Sequence, residues 1–469
     1  MTAPDHPNRR RALALLGGAA AAALPLPATA QTTPAPPPPI QDSPAPTAPP
    51  VPRLGEELTP FGAIRAGNRT RVIPPWTGGL IKPPRGYTPG RHSPDPFIED
   101  GRWITVGPAD VERYKIRLSA GLQALLAKYP TTFEVPVFPC RRSAAAPQRI
   151  YDASLENATR AALGANGLVL SGARVGVPFP IPANGVQAMW NHLLRWRGGA
   201  MSHTSQTVLP GGDGKFSDRL YQEDFLSPYA AGEGGTPLLY RRTTLTPADQ
   251  SGTTLLTQAT LNPIQSGFRA WFRAGERGRV LPAPDFLYDT NDPATDGIAT
   301  ADMLDMFSGP LDRFDFTLIS RREMYVPYNA YRMNTPNLAP HEFLWYGHPN
   351  PQFLRYEMHR VWIVDARLKP NFQHKLPDRT YYLDEDSWQI VMAEHYNGKG
   401  ELQRYAEAHN VAHWQVPAFV PAAEFVYDLT GDRYVARGID NLQRPPVFDK
   451  PLKPDAFTPE SLVRRGRRD

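Results

Sequence analysis

The sequence predicts a mainly β protein with helices, an α+β fold built on one large curved antiparallel sheet that forms an incomplete β-barrel lidded by helices. Three observations predict it. Apolar and polar residues alternate over long stretches after residue 235, few segments carry helical spacing, and short polar connections join the alternating stretches. The longest alternation sets Tyr356, Met358, Trp362, Val364, Ala366 and Leu368 against Arg355, Glu357, His359, Asp365, Arg367 and Lys369.

The chain begins as an address. Arg9-Arg10-Arg11, an Ala/Leu/Gly stretch and Ala28-Thr29-Ala30 before Gln31 make an export signal over 1–30 with cleavage after Ala30. Arg10-Arg11 with Leu13 matches a twin-arginine signal in part, so both that route and the general secretory route stay open. Cys140 is the only cysteine and lies far from the cleavage site, so no lipid anchor is expected there and the mature chain is expected free in the periplasm. The stretch 31–53 is dense in proline, which prevents helix and central strand and predicts an extended linker. One globular domain is expected over 54–469.

Within that domain, 54–106 is rich in Pro, Gly and Trp and predicts irregular wrapping chain. Val111, Tyr114, Leu118, Leu122, Leu125 and Leu126 predict a helix over 108–128. Asn184 caps a second helix over 184–196, with Val186, Met189, Trp190, Leu193 and Leu194 on one face. A third runs from Thr300 to before Gly309. Strands are predicted at 238–245, 253–261, 268–274, 314–325, 356–368, 381–383, 388–396, 402–409 and 425–437, with Asp384-Glu385-Asp386-Ser387 as hairpin-turn chemistry.

Composition excludes several function classes. After the N-terminus there is no apolar run of roughly 18 residues, so a polytopic membrane protein is not expected. One cysteine permits neither an internal disulfide nor a cysteine-based zinc site. A net charge of +5 over 469 residues is a weak field, and with export it argues against a nucleic-acid partner. The Arg and Trp residues of 190–197 then serve helix packing through Trp190, with Arg195 and Arg197 as a rim.

Motifs for chemistry are missing. His341-Glu342 is followed by no second histidine at ligand spacing, and His359, His395 and His409 sit on or beside strands without a carboxylate or second histidine so placed. Ser217 lacks the glycines of a nucleophile elbow. Gly211-Gly212-Asp213-Gly214-Lys215 ends on Phe216, where a phosphate loop needs Ser or Thr, and predicts a turn. Cys140 beside Arg141-Arg142 is expected to be a packed thiol. Asp384-Glu385-Asp386, Asp296-Gly297, Asp302 and Asp305 fit turns better than a calcium site. No catalytic residue, no metal and no cofactor are expected.

Ordered motifs add a resemblance. Leu58 to Asn68, Ile73 to Gly79, Val177 to Pro182 with Trp190-Asn191-His192, Asp305-Met306-Phe307, Tyr325 to Tyr331, Asp384 to Trp388 and Phe457 to Leu462 together resemble a bacterial family of exported proteins of unknown function, DUF1329, over about 55–469. The basic segment Trp271 to Val280 matches the family only loosely. The resemblance implies a Lol-like sheet, similar to outer-membrane lipoprotein-sorting proteins, that holds acyl or other hydrophobic groups. It also implies work beside a resistance-nodulation-division exporter and an outer-membrane protein. The function expected is a non-enzymatic periplasmic carrier of a lipid or other hydrophobic molecule, against the alternatives of an exporter adaptor or a hydrolase of hydrophobic substrates. The ligand-cavity candidates are Met189 and Trp190 on the helix, Tyr356, Met358, Trp362 and Val364 on the long strand, and Trp388, Ile390 and Met392 on the hairpin. Arg322, Arg355 and Arg360 are candidates for an anionic head group.

Overall fold

Eighteen strands carry the architecture of the computed structural model, which describes residues 53–164, 167–232, 236–448 and 450–465. The expected export signal over 1–30 and all of the expected linker 31–53 except Arg53 lie outside the described residues. The strands are β1 (Ile104–Val106), β2 (Val135–Phe138), β3 (Ala162–Leu163), β4 (Leu170–Ser171), β5 (Ala200–Pro210), β6 (Phe216–Leu226), β7 (Leu239–Thr246), β8 (Thr254–Gln258) and β9 (Arg269–Arg273). They continue with β10 (Val280–Pro282), β11 (Phe314–Pro327), β12 (Tyr356–Leu368), β13 (Asp378–Asp384), β14 (Ile390–Tyr396), β15 (Leu402–His413), β16 (Ala418–Asp428), β17 (Arg433–Ile439) and β18 (Val447–Phe448). Residues 52–469 make one compact unit.

Sixteen of these strands form one unclosed sheet of two meanders. The C-terminal meander runs β11 to β17 through antiparallel neighbours, and the other runs β5 to β10. They join where β17 pairs antiparallel with β5, and β2 adds a short parallel pairing to the start of β12. Hairpin connections explain the dominance of antiparallel pairs, since adjacent strands need only a tight turn.

The sequence located most of the long strands of this sheet but missed β5 and β6, along with the short β1, β2, β10 and β18. The reason is visible on β5, whose cavity-side face runs Met201, His203, Ser205 and Thr207, so beyond Met201 that face carries no apolar signal. Gly211 to Lys215 is the turn between these two strands, closed by Gly211 N–H donating to the Lys215 carbonyl at 2.8 Å. The stretch 425–437 divides into β16 and β17.

The helices differ more. The helix predicted over 108–128 breaks at Leu118, and only Ala120–Lys128 is a continuous α-helix of more than four residues, capped by Ser119, whose Oγ accepts Leu122 N–H at 3.1 Å. Gly185–Leu194 forms as predicted, with Asn184 accepting from Gln187 N–H. A Cβ on Gly185 would sit 2.5 Å from the Phe316 backbone, so glycine permits the close approach of this helix to β11. The third predicted helix shrinks to a 3₁₀ turn, Ala301–Met303. A helix at Gln148–Arg160 was missed. Its buried stripe includes Ala153, Ser154 and Asn157, and Asn157 Nδ2 donates to the Val175 and Val177 carbonyls at 2.8 and 3.1 Å, a polar anchor that periodicity does not register.

Three helices pack on the sheet. Ala120–Lys128 packs on β14 and β15, and Gly185–Leu194 on β11 and β12. The C-terminal Pro459–Arg465 helix and the turn before it cover β7, β8 and β10, burying Phe457 and Leu462 against Leu239 and Leu256. No described helix is long and apolar enough to cross a membrane.

Candidate functional site

Register builds the site. Across β5 to β9 one row of side chains on the same face runs Met201, Phe225, Tyr240, Thr257, Ala270, and the next runs His203, Glu223, Arg242, Leu255, Phe272. Directly opposed residues of antiparallel strands project to one side, so the first row is mainly apolar and the second begins with charge. Together with Val420, Pro421, Ala423, Glu424 and Arg437 of β16 and β17, the first row as far as Thr257 and the second as far as Arg242 floor a cavity of about 200 Å³. Its roof is Phe268, Phe286, Leu304, Asp305, Arg195 and Arg197. A second cavity of about 300 Å³ adjoins it, sharing Arg242 and Phe286 and opening at Arg219 and Tyr221.

The charged wall is internally paired. The chain after Leu194 leaves the helix and sends Arg195 and Arg197 to the two carboxylate oxygens of Asp305. Asp305 and Met306 both have left-handed backbone, φ 53° and 64°, a costly conformation for residues with a Cβ. The turn is anchored by His192: its Nδ1 accepts Ile390 N–H at 3.2 Å, so its Nε2 donates to the carbonyls of Phe307 (3.1 Å) and Asp305 (3.2 Å). Burial and the nearby Arg195 push the His192 imidazole down to about 3, which keeps it neutral and fixes that tautomer.

On the opposite side Arg242 meets Asp292 at 2.7 Å, and Arg437 meets it at 3.3 Å. Burial would raise Asp292, but the two guanidinium groups outweigh it and hold it at about 2. Glu424 has only Arg437, at 4.0 Å, and burial with the nearby Asp305 charge raises it far above the carboxylate range. Glu223 accepts from Tyr240 and from Ser205 Oγ, and His203 pairs with Asp440 at 3.1 Å. Among the described residues, Arg195 and Arg437, with side chains 1% and 6% exposed, each keep a buried Nε without a hydrogen-bond partner. Four arginines thus face the space against two acids whose pairing is complete and a third, Glu424, that burial favours in its neutral form.

The sequence-derived candidates lie elsewhere. Met189, Trp190, Tyr356, Met358, Val364, Trp388, Ile390 and Met392 are all buried in the two large cores, and Trp362 is half-buried against one of them. None lines the 200 Å³ cavity. Trp190 alone borders a small recess that shares Arg197, Leu238 and Asp305 with it. Arg355 and Arg360 are buried in ion pairs with Glu357 and Glu385, and Arg322 is exposed. The placement has a simple cause: alternation marks the one apolar face of a strand, and on β12 to β14 that face packs solidly into the two cores. The residues that line the cavity, Glu223, Arg242, Glu424 and Arg437 among them, look like solvated strand positions in sequence. Arg195 and Arg197, expected as a rim, are cavity wall.

The model of a family described as protein of unknown function (DUF1329) matches residues 105–463. The chain belongs to the DUF1329 family. An uncharacterized protein of Pseudomonas aeruginosa, PA3922, is 36% identical over 426 residues, covering 89% of this chain and 93% of that protein. Among solved structures, a DUF1329 family protein from Desulfovibrio piger aligns with a TM-score of 0.40 at 11% identity, over 56% of this chain and 92% of that one. A LolA superfamily protein from Nitrosomonas europaea aligns at 0.37 and 9%, over 59% and 98%. The DUF1329 match spans β1 to β18, so the floor and roof of the cavity lie within it.

Proposed function

We propose that this DUF1329 protein is a non-enzymatic periplasmic carrier or binding protein for an amphiphile with an apolar tail and an anionic head. In this reading it serves envelope transport to or from the outer membrane, with hand-over to an exporter of the resistance-nodulation-division type or an outer-membrane protein. The observation that carries the reading is the cavity: an apolar floor from Met201, Phe225, Leu238 and Val420, walled by an excess of buried arginine. The N-terminal residues supply the compartment.

Magnitudes favour a charged head. Ten buried methylenes contribute about 8 kcal/mol at about 0.8 each, while association costs about 4–15 kcal/mol. The tail by itself is marginal, so the charge of the arginines that line the cavity decides retention. The acids that could serve as bases are engaged: Asp305 with two arginines and Glu223 with Tyr240 and Ser205. This favours holding a molecule over transforming it.

The test is extraction of protein purified from its native host, with bound molecules identified by mass spectrometry, beside thermal unfolding with dodecanoate and with dodecyltrimethylammonium. An anionic amphiphile should co-purify, and dodecanoate should raise Tm where the cation of equal chain length does not. At a ligand concentration of 100 Kd the stabilisation is about 2.7 kcal/mol. Ala259→Trp, at a half-buried position that lines the cavity, should abolish both effects. Protein that carries no lipid and responds to neither amphiphile would overturn the reading.

A further inference from the structure

The two cavities lie on one face of the sheet, one after the other along the same strands. Residues two apart on a strand project to one side, so that face runs Phe225, Glu223, Tyr221 on β6, Tyr240, Arg242, Thr244 on β7 and Thr257, Leu255, Thr253 on β8. Thr244 N–H donates to the Thr253 carbonyl at 2.8 Å, which extends the register to the last of these rows. The first cavity covers Phe225, Tyr240 and Thr257, and the second covers Tyr221, Thr244 and Thr253. Arg242 from the floor and Phe286 from the roof line both. Tyr240 and Thr244 are about 13 Å apart at about 3.3 Å per residue, within the span of one extended molecule.

The two chambers differ in charge. Glu223, Asp305 and Glu424 line the first. Among the described residues no carboxylate lines the second, where Arg219 and Arg242 meet the side chains of Tyr221, Thr244, Gln250 and Thr253. Arg242 is held by Asp292 at 2.7 Å and lies 5.0 Å over the Tyr221 ring. Arg219 pairs with Asp296 at 3.1 Å, but that acid is 47% exposed, and such a pair contributes little. Thr253 Oγ1 accepts Gly275 N–H at 3.0 Å, which leaves its own hydrogen to donate. Guanidinium, hydroxyl and amide groups together offer more donors than the two oxygens of a carboxylate take up. A phosphate brings three strong acceptor oxygens and a charge of about −1.5 to −2 at pH 7, and arginine meets such oxygens with paired N–H donors.

We propose that the second cavity is the head-group chamber for a phosphate-headed amphiphile, whose tail passes between Arg242 and Phe286 onto the apolar row of the first cavity. The inference rests on the carrier reading and narrows it to one head group. Arg219 and Tyr221, at the opening, are the residues that select that head, and Arg242 marks where head gives way to tail.

The test is titration of the delipidated full chain with dodecyl phosphate, with dodecanol and with inorganic phosphate. Wild type should bind dodecyl phosphate more tightly than dodecanol by about tenfold or more, the effect of a charged hydrogen bond, and inorganic phosphate far more weakly than either. Arg219→Gln should remove most of that preference. Tyr221→Phe should lower it about threefold, the effect of one neutral hydrogen bond, and decides the matter if Arg219→Gln does not fold. An unchanged preference in both variants would overturn the chamber and leave the carrier reading standing, since the anion would then be held elsewhere. Inorganic phosphate that binds as tightly as dodecyl phosphate would make this a site for the free ion and overturn the proposal. Wild-type protein that binds none of the three would overturn the carrier reading and the chamber together.

Discussion

The two meanders of the sheet share strand geometry and differ in what they turn inward. In β13 and β14 and the turn between them, Leu383, Trp388, Ile390, Val391, Met392 and Ala393 are all 0% exposed. Large apolar side chains close on one another, and the interior is solid. In β5 to β7 the inward row is His203, Glu223 and Arg242, and the covering segment brings Asp305, Arg195 and Arg197. Paired charges keep fixed distances set by hydrogen bonds, so they cannot collapse to fill irregular volume as methylenes do. The void is therefore found where the apolar pattern is interrupted.

The comparison can be broken most readily by truncating an aromatic residue in each region. Trp388→Ala removes a fully buried indole whose Nε1 donates to the Phe61 carbonyl at 2.9 Å. It should cost about 3–5 kcal/mol in urea unfolding. Phe225→Ala borders existing space and should cost clearly less; equal losses would mean that the cavity region is as tightly packed as the hairpin.

A smaller effect separates filling from overpacking. Ala393→Leu in the solid region should destabilise by about 1–3 kcal/mol, whereas Ala259→Leu, at a half-buried position that lines the cavity, should stay within about 1 kcal/mol of wild type. Denaturant midpoints for the two variants check this directly.

A third contrast is electrostatic. Folding raises Glu424 from an ordinary 4.5 to about 8, so between those values the folded protein holds a proton that the unfolded chain releases. Its stability contribution is complete below the unfolded value and falls as pH rises through the folded one. Glu424→Gln lacks this loss. Melting temperatures from pH 5 to 9 should show the variant gaining on wild type as pH rises, and parallel curves would mean that Glu424 is not held neutral.

Residues 356–368 illustrate what could be read in advance: the strand lies where alternation placed it, because backbone pleat fixes the period regardless of partners. The Asp384–Ser387 turn was equally legible, yet its acids are buried among Arg142, Arg321 and Arg360, since Phe61 and neighbouring wrapping chain cover it. The cavity was not legible, because Glu223, Arg242, Glu424 and Arg437 are polar letters on alternating strands, and sequence does not tell a solvated face from a buried, paired one.

By itself the sequence determined the strand periods, the Gly185–Leu194 helix with its Asn184 cap, and membership of a family through ordered motifs, all of which depend on neighbours close along the chain. Only the tertiary structure decided which face became solid core and which enclosed space. That outcome rests on β17 meeting β5 and on Asp305 reaching Arg195 and Arg197, encounters across more than a hundred residues that no local pattern encodes.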